Sequence, residues 1–285
     1  SSLLGAEEVV TLLIERKASL DLHDSPGCTA LIAACSRGDN RIACHLLKAG
    51  ADSSICCKSG RCPLHHADVS GDLKTMAMIC KAVKPGIMHK LPETLAKACG
   101  ADDVQTFTSW IDFGGLVDTE WKCTLRAEDR TIKTTTTLLI AAAGAGKEGV
   151  LSLLIERKAS VNLGTGKHGI TPLMQGCMHG STGAVHRLLE AGADPSLCTA
   201  PGDTLNTGRR SALMFASENG HTDIVRLLLK AGADPHVRDV DGFDARDLAA
   251  ENRHKSVVAT LSKAAATTVE GAANSLSRVP VDIRT

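Results

Sequence analysis

The residues best suited to chemistry lie in the stretch CCKSGRCPLHH, residues 56–66, which holds three Cys and two His. Thiolate and imidazole groups are the ligands that zinc prefers, and four converging donors complete a structural zinc site. The spacing of Cys56, Cys57, Cys62 and His65 matches none of the common zinc patterns. A structural role is therefore favoured for these residues, and a metal-binding or redox-responsive module is kept as the alternative function.

The stretch Gly144–Lys147, GAGK, has the ending of a phosphate-binding loop. The complete motif also needs a Gly five residues before the last Gly and a Ser or Thr after the Lys. This chain has Ala141 and Glu148 at those two positions. No Ser of the chain stands in the G-x-S-x-G context of a nucleophile elbow either. The sequence therefore predicts a protein that is not an enzyme and uses no cofactor.

The composition indicates a helical protein without a charged target. Formal net charge is zero with a pI of about 7.1, so no basic field points to nucleic acid or to a membrane surface. Aromatic residues are 2% and Tyr is absent, and the small aliphatic residues that replace them suit closely packed helices. Eleven Cys at irregular spacing are a weak disulfide signal, so we expect the cytoplasm or another reducing compartment.

Repeated strings in the sequence mark the helices that position these residues. The octapeptide LLIERKAS occurs at residues 12–19 and again at residues 153–160. A second string, LLKAGAD, occurs at residues 46–52 and 228–234, and LLEAGAD occurs at residues 188–194. Each string ends an amphipathic run. The strings of the second set contain a Gly, which is the residue that most easily closes a helix. The strings therefore mark the ends of equivalent helices.

A shorter helical pattern precedes each of these helices. Good N-cap residues open most copies of the pattern, and a Gly nine residues later ends most of them. Thr29 and Cys62 lie 33 residues apart, as do Ser211 and Asp244. The full set of openings is Thr29, Cys62, Thr137, Thr171, Ser211 and Asp244, and a degenerate copy, LPETLAKACGADD, occupies residues 91–103.

A helix–turn–helix unit of about 33 residues that begins like T-P-L-H-x-A and ends in G-A-D resembles the ankyrin repeat. The resemblance covers residues 9–261. It implies an all-α solenoid of stacked ankyrin-type helix-turn-helix repeats with short β-hairpin fingers. Among the units only His65 keeps the His of the motif. The other units carry apolar or small polar residues there, which replaces the usual imidazole hydrogen bonds.

The resemblance implies a solenoid over residues 1–262, with a partial first repeat, about seven further repeats and insertions near residues 112–133 and 199–208. Alternating residues from Val117 to Thr135 predict that the first insertion is one long β-hairpin, either a binding element or a lengthened connection. Residues 263–285 lack periodicity and are predicted to be an irregular tail. The first LLIERKAS lacks its preceding helix, so the chain is expected to begin within a repeat.

Ankyrin-like proteins are commonly non-catalytic interaction scaffolds or adaptors that bind through a concave groove and the hairpin tips. The resemblance therefore implies one or more protein partners, with no nucleic acid, no membrane insertion and no implied homo-oligomer. Two roles remain open, a soluble adaptor and a permanent subunit of a larger assembly. The expected partner-binding residues are those at hairpin tips and at the ends of the short helices: Arg37, Lys58, Lys167, His168, Met178, His179, Arg209, Arg210, Glu218, Asn219, Asp241 and Phe243.

Two pairs of these residues predict a modest positive patch. Lys167 and His168 stand at one hairpin tip, and Arg209 and Arg210 stand at the next tip along the solenoid. Arg side chains are frequent anchors at protein interfaces. We expect this patch to suit an acidic segment of the partner.

Overall fold

The structure is a computed structural model that describes residues 2–82, 90–127, 130–200 and 208–276, with the backbone alone over residues 2–5, 123–133 and 266–276. The chain divides into two compact units. The first unit comprises Ser1–Leu138 with Glu156–Ala159, and the second comprises Leu139–Ile155 with Ser160–Thr285.

Paired helices make up most of the described chain. Up to the boundary between the units the elements are α1 (Ser2–Glu15), α2 (Ala30–Arg37), α3 (Asn40–Lys48), α4 (Pro63–Ser70), α5 (Leu73–Ala82), α6 (Glu93–Ala101), α7 (Val104–Asp112), β1 (Trp121–Ala127) and β2 (Arg130–Thr136). Helices α8 (Leu138–Gly144), α9 (Glu148–Glu156), α10 (Pro172–His179), α11 (Thr182–Glu190), α12 (Ala212–Glu218), α13 (Thr222–Lys230), α14 (Ala245–Glu251) and α15 (Lys255–Leu276) follow. Within the described ranges, α2 to α15 form seven consecutive helix pairs.

The short helices begin at the residues that the caps predict. The hydroxyls of Thr171 and Ser211 accept hydrogen bonds from backbone amides three residues later, at 3.3 Å and 3.4 Å. The carboxylate of Asp244 forms a full capping box with Asp247. Gly180 ends α10 in the left-handed conformation, with φ of 72°. These local signals set the helix boundaries because each one satisfies backbone groups that the helix itself leaves unpaired.

Successive pairs pack on their neighbours. In the first unit the short helices α2, α4 and α6 contact one another in series. In the second unit α10, α12 and α14 do the same, with α11, α13 and α15 alongside them. Aliphatic side chains such as Leu31, Leu95, Leu213 and Leu248 are buried between the layers. The all-α stacked-repeat prediction is therefore confirmed, because each pair buries its apolar face only against the next one.

The long insertion of the first unit is a β-hairpin, as predicted. Strands β1 and β2 pair antiparallel from Trp121↔Thr136 to Ala127↔Arg130. Strand β1 begins at Trp121, whereas the alternation of residue types in the sequence starts at Val117. Trp121 is 1% exposed and anchors the base of the hairpin in the core.

The C-terminal segment differs from the prediction. Helix α15 continues to Leu276, so residues 263–276 are helical rather than irregular. A run rich in Ala, with no Pro between Lys255 and Leu276, favours helix over irregular chain. Residues 277–285, and residues 201–207 of the second expected insertion, lie outside the described residues. None of the described helices combines the length and the apolar character needed to cross a membrane.

Candidate protein-interaction surface

The loop Asp239–Phe243 in the second unit holds two of the expected contact residues and is closed by its own hydrogen bonds. The carboxylate of Asp239 accepts hydrogen bonds from the backbone amides of Asp241 and Phe243, both at 3.0 Å. The Asp239 amide donates to the carbonyl of Phe243 at 2.9 Å. These hydrogen bonds within the loop hold it closed, and Val240, Asp241 and Phe243 are exposed to solvent. We call residues 239–243 the tip loop.

The tip loop presents apolar side chains at the surface. Val240 is 56% exposed and Phe243 is 41% exposed. Exposed apolar side chains that lie together form a contact site when a partner buries them and removes them from water. Phe243 was expected from the sequence, whereas Val240 was not. Its position between two Asp residues in a turn was the available signal that it would be exposed.

Arg210 does not face solvent, contrary to the prediction of a positive patch. Its guanidinium donates to both carboxylate oxygens of Glu218, at 2.9 Å and 2.8 Å. Its Nε lies 3.4 Å from Oδ2 of Asp239, an ion-pair contact rather than an aligned hydrogen bond. The side chains of Arg210 and Asp239 are 11% and 0% exposed. Arg210 therefore neutralises the buried carboxylate that closes the tip loop.

His168 is also buried, with 7% exposure, so it cannot contribute to a positive patch. Its carbonyl accepts a hydrogen bond from the amide of Ala200 at 2.9 Å, which ties together two neighbouring loops. Lys167 and Arg209 remain exposed. The patch is reduced to these two cations because two of its expected members face the interior.

Several expected contact residues of the second unit bind their own helix instead of standing free. The amide of Asn219 donates to the carbonyl of Phe215 at 2.8 Å. Nδ1 of His179 lies 3.0 Å from the carbonyl oxygen of Gln175. Both residues are exposed, and Met178 is half-buried beside His179. The side chains of His179 and Asn219 are therefore partly committed to their own helices although they reach the surface.

Two of the expected residues belong to the first unit. Arg37 and Lys58 are exposed. A groove of about 680 Å³ lies beside α4 and the start of α6, lined by Val69, Lys90 and Lys97 among others. Val69 is 75% exposed. The sequence pointed to Val69 through its place at the end of a short helix, but not to the two lysines of the degenerate unit.

The Cys and His residues considered for metal binding do not form a metal site. Across residues 2–82, 90–127, 130–200 and 208–276, no group of three or more His, Cys, Asp or Glu side chains is arranged to hold a metal ion. His65 is exposed, and its ring meets that of His66 at a centroid distance of 6.0 Å. The metal-binding alternative therefore gains no support from the geometry.

Comparison with known proteins agrees with this architecture. A family profile described as ankyrin repeats, in three copies, matches residues 1–89, 97–199 and 196–270. The chain belongs to the ankyrin-repeat family. The ankyrin repeats of this chain are thus recognised over nearly the whole length in which the sequence pattern is found.

Two curated proteins resemble this ankyrin-repeat chain. It is 28% identical over 190 residues, or 66% of its length, to "Ankyrin repeat and KH domain-containing protein mask-1" of Caenorhabditis elegans. It is 30% identical over 108 residues, or 37% of its length, to human "BCL-6 corepressor-like protein 1". The matched segments cover 7% and 6% of those two proteins. The chain spans only a small part of the length of the relatives that it matches.

Proposed function

We propose that this ankyrin-repeat chain is a non-catalytic scaffold or adaptor that binds a partner protein through the second unit. Ankyrin repeats are in general protein–protein interaction modules. The observation that supports the site is the tip loop, in which a buried ion contact between Arg210 and Asp239 holds Val240 and Phe243 outward. Exposure of these apolar side chains does not stabilise the folded chain. Their ordered placement at the surface therefore favours a role in contact.

The partner surface that fits the tip loop is apolar at its centre. Val240 and Phe243 supply the apolar contact, and Asp241 adds one negative charge beside them. The amide of Val240 donates to the carbonyl of Gly208 at 3.2 Å, which brings Arg209 next to the loop. A partner segment with a large apolar side chain flanked by both a basic and an acidic group would match this arrangement.

Cross-linking mass spectrometry on native extract tests the proposal. Wild-type chain should give cross-links from Lys167 to one stoichiometric protein. The double variant Val240→Ser and Phe243→Ala should reduce recovery of that protein by about tenfold or more, since interface anchors are worth about 2 kcal/mol or more. Val69→Ser in the first unit is the control, because it removes an apolar residue that is even more exposed than Val240 and Phe243.

Two results would overturn the assignment of the site. Equal recovery of the partner by the double variant, with unchanged circular dichroism, would exclude the tip loop. Loss of the partner in Val69→Ser alone would move the site to the first unit. Co-migration of the partner with the chain through gel filtration at low concentration would distinguish a permanent subunit from a transient adaptor.

The proposal of a reducing compartment draws on the buried thiols. Cys35, Cys80 and Cys177 are buried among apolar side chains, as small hydrophobic residues would be. Burial raises the pKa of Cys35 to about 12 and that of Cys80 to about 12, so both stay protonated and unreactive at neutral pH. Fractionation of the native cells with an antibody against the chain would test this proposal directly.

A further inference from the structure

A tight hairpin joins Cys56 to Cys62. The amide of Cys57 donates to the carbonyl of Arg61 at 3.0 Å, and the amide of Gly60 donates to the carbonyl of Cys57 at 2.8 Å. Gly60 has φ of 74°, which a three-residue hairpin loop requires at its last position. The hydrogen-bonded pair is therefore 57 with 61, and the next residues outward, Cys56 and Cys62, face each other across the hairpin.

Two other repeats confirm this register. The amide of Asp24 donates to the carbonyl of Cys28 at 3.1 Å, and the next pair outward, His23↔Thr29, is an antiparallel bridge. Cys198↔Ser211 is the bridge outside the pair Thr199 and Arg210. At Cys56 and Cys62 the second ladder bond would come from residue 63, which is Pro and has no N–H. The hairpin at Cys56 and Cys62 therefore shares with the other two the hydrogen bond one residue inward, from the amide of Cys57 to the carbonyl of Arg61.

The facing positions suit a disulfide. In antiparallel strands the Cα atoms of such a pair lie about 4.5 Å apart. Disulfide-bonded cysteines have Cα atoms about 4.4–6.8 Å apart. Cys56 is exposed and Cys62 is half-buried, so a small oxidant can reach the pair. Partial burial, the nearby Cys62 and Cys57 thiols and a hydrogen bond with Cys62 raise the pKa of Cys56.

Cys57 lies on the other side of the same strand. Its Sγ is 3.0 Å from Oγ of Ser59, and this contact lowers the pKa of the Cys57 thiol. Cys57 is buried, and after the larger effects of burial and of Asp24 its thiol also raises the pKa of Cys28. Side chains alternate between the two faces of a strand, so the sequence neighbour of Cys56 cannot replace it opposite Cys62. Cys57 therefore provides an internal control.

We propose that Cys56 and Cys62 are a modification site, at which a disulfide of low molecular weight such as glutathione disulfide converts the two thiols into one intramolecular disulfide. The Cys56 thiolate attacks a sulfur of glutathione disulfide, forms a mixed disulfide and releases one glutathione thiolate. The Cys62 thiolate then attacks the Cys56 sulfur and releases the second glutathione. Two protein thiols are oxidised, one glutathione disulfide is reduced to two glutathione thiols, and the two protons lost by the protein thiols end on the two glutathione sulfurs.

Peptide mapping tests this site on the whole chain. The folded protein is incubated with glutathione disulfide, remaining thiols are alkylated, and the sample is digested with trypsin without reductant, at a slightly acidic pH at which trypsin is still active and disulfide exchange is slow. Lys58 and Arg61 lie between the two cysteines, so trypsin places Cys56 and Cys62 in different peptides. The expected product is a pair of peptides joined through Cys56 and Cys62, which separates on reduction. Its rate of formation should rise with pH from 7 to 9, because the thiolate is the attacking species.

Matched variants decide the assignment. Cys57→Ser should still form the joined peptides, whereas Cys56→Ser should lose them, and both should keep wild-type circular dichroism. Joined peptides that disappear in Cys57→Ser, or that contain Cys28, would overturn the proposal. It would equally fail if folded wild-type protein gave only glutathione adducts on Cys56. These outcomes need no binding partner, so they are independent of the proposed function.

Discussion

At the scale of the residue, polar side chains that look like surface groups in the sequence stabilise the loops that carry the surface. Arg210 is the clearest case, because its planar guanidinium binds Glu218 through two oxygens while also facing Asp239. A charge is held inside a protein only where partners of this kind compensate the loss of water. The exposed cation at the same place is Arg209.

Arg210→Gln should destabilise the protein strongly. The substitution leaves the carboxylate of Asp239 buried without its countercharge, and breaking a buried pair costs about 3–5 kcal/mol. We expect a loss near the lower limit, about 3 kcal/mol, because Glu218 is partly exposed. Urea unfolding measures the loss. Arg209→Gln is the control and should change the free energy of unfolding by about 0.5 kcal/mol or less; equal losses in both variants would contradict the buried pair.

A second contact between neighbouring repeats depends on a Gly. Gly220 has φ of +75°, and a Cβ there would lie 2.5 Å from Nδ1 of His254. The His254 Nε2 lies 3.0 Å from the carbonyl oxygen of Glu218. The ring is thus placed over the end of the preceding short helix, where only Gly leaves room for it.

Gly220→Ala should therefore cost more than backbone strain alone. The left-handed conformation costs a non-Gly residue about 1–2 kcal/mol. Displacement of the His254 ring should add about 1 kcal/mol through its lost hydrogen bond. Thermal unfolding of Gly220→Ala in wild-type and His254→Ala backgrounds separates the cost of the backbone strain from the cost of the displaced ring. If the cost is the same in both backgrounds, the ring contact contributes nothing.

At the scale of the element, α6 shows how a degenerate repeat keeps its helix. Its N-cap is Pro92, which has no side-chain acceptor for the first amides. Asp68 of α4 supplies the acceptors instead, at 2.7 Å from the amide of Glu93 and 2.9 Å from that of Thr94. A side chain of one repeat thus caps a helix of the next, and it also lines the groove beside them.

Removal of this cap should loosen α6. Asp68→Ala should lower the free energy of unfolding by about 1–2 kcal/mol, as for other lost helix caps. Amide hydrogen exchange at Glu93 and Thr94 should accelerate. Asp68→Asn keeps one oxygen acceptor and should show a smaller effect at both amides. Unchanged exchange at these amides in Asp68→Ala would show that water replaces the cap at no cost.

At the scale of the whole molecule, stability is a sum over neighbours. Within each of the two compact units, helix pairs pack on neighbouring pairs, as α2, α4 and α6 do in the first and α10, α12 and α14 do in the second. In such a protein a local defect spreads to adjacent repeats and fades along the chain. The second unit can therefore keep its tip loop ordered when residues in distant repeats are substituted.

Leu228→Ala tests this neighbour rule. Leu228 of α13 is 0% exposed, so the substitution should cost about 3 kcal/mol through lost burial and a cavity. Amide protection should fall in α10 to α15 and should stay at the wild-type level in α2 to α5. A uniform loss of protection over both sets of helices would show that the chain unfolds as one cooperative body.

The repeats themselves were predictable from the sequence, because their signals are local. A capping hydroxyl such as that of Thr171 and a closing residue such as Gly180 act within a few positions of the chain. The inserted hairpin followed from the alternation of its residues. The helical course of residues 263–276 was missed because the absence of a repeat pattern does not by itself exclude a helix.

The sequence by itself determined the family and the helix pairs, and ankyrin repeats are in general protein-interaction modules. Only the tertiary structure decided which polar residues remain outside. Arg210 and His168 turn inward, and Val240 turns outward. The physical reason is distance along the chain. Burial of Arg210 depends on Asp239, 29 residues further on, and no local pattern reports a charge pair that forms only when the repeats stack.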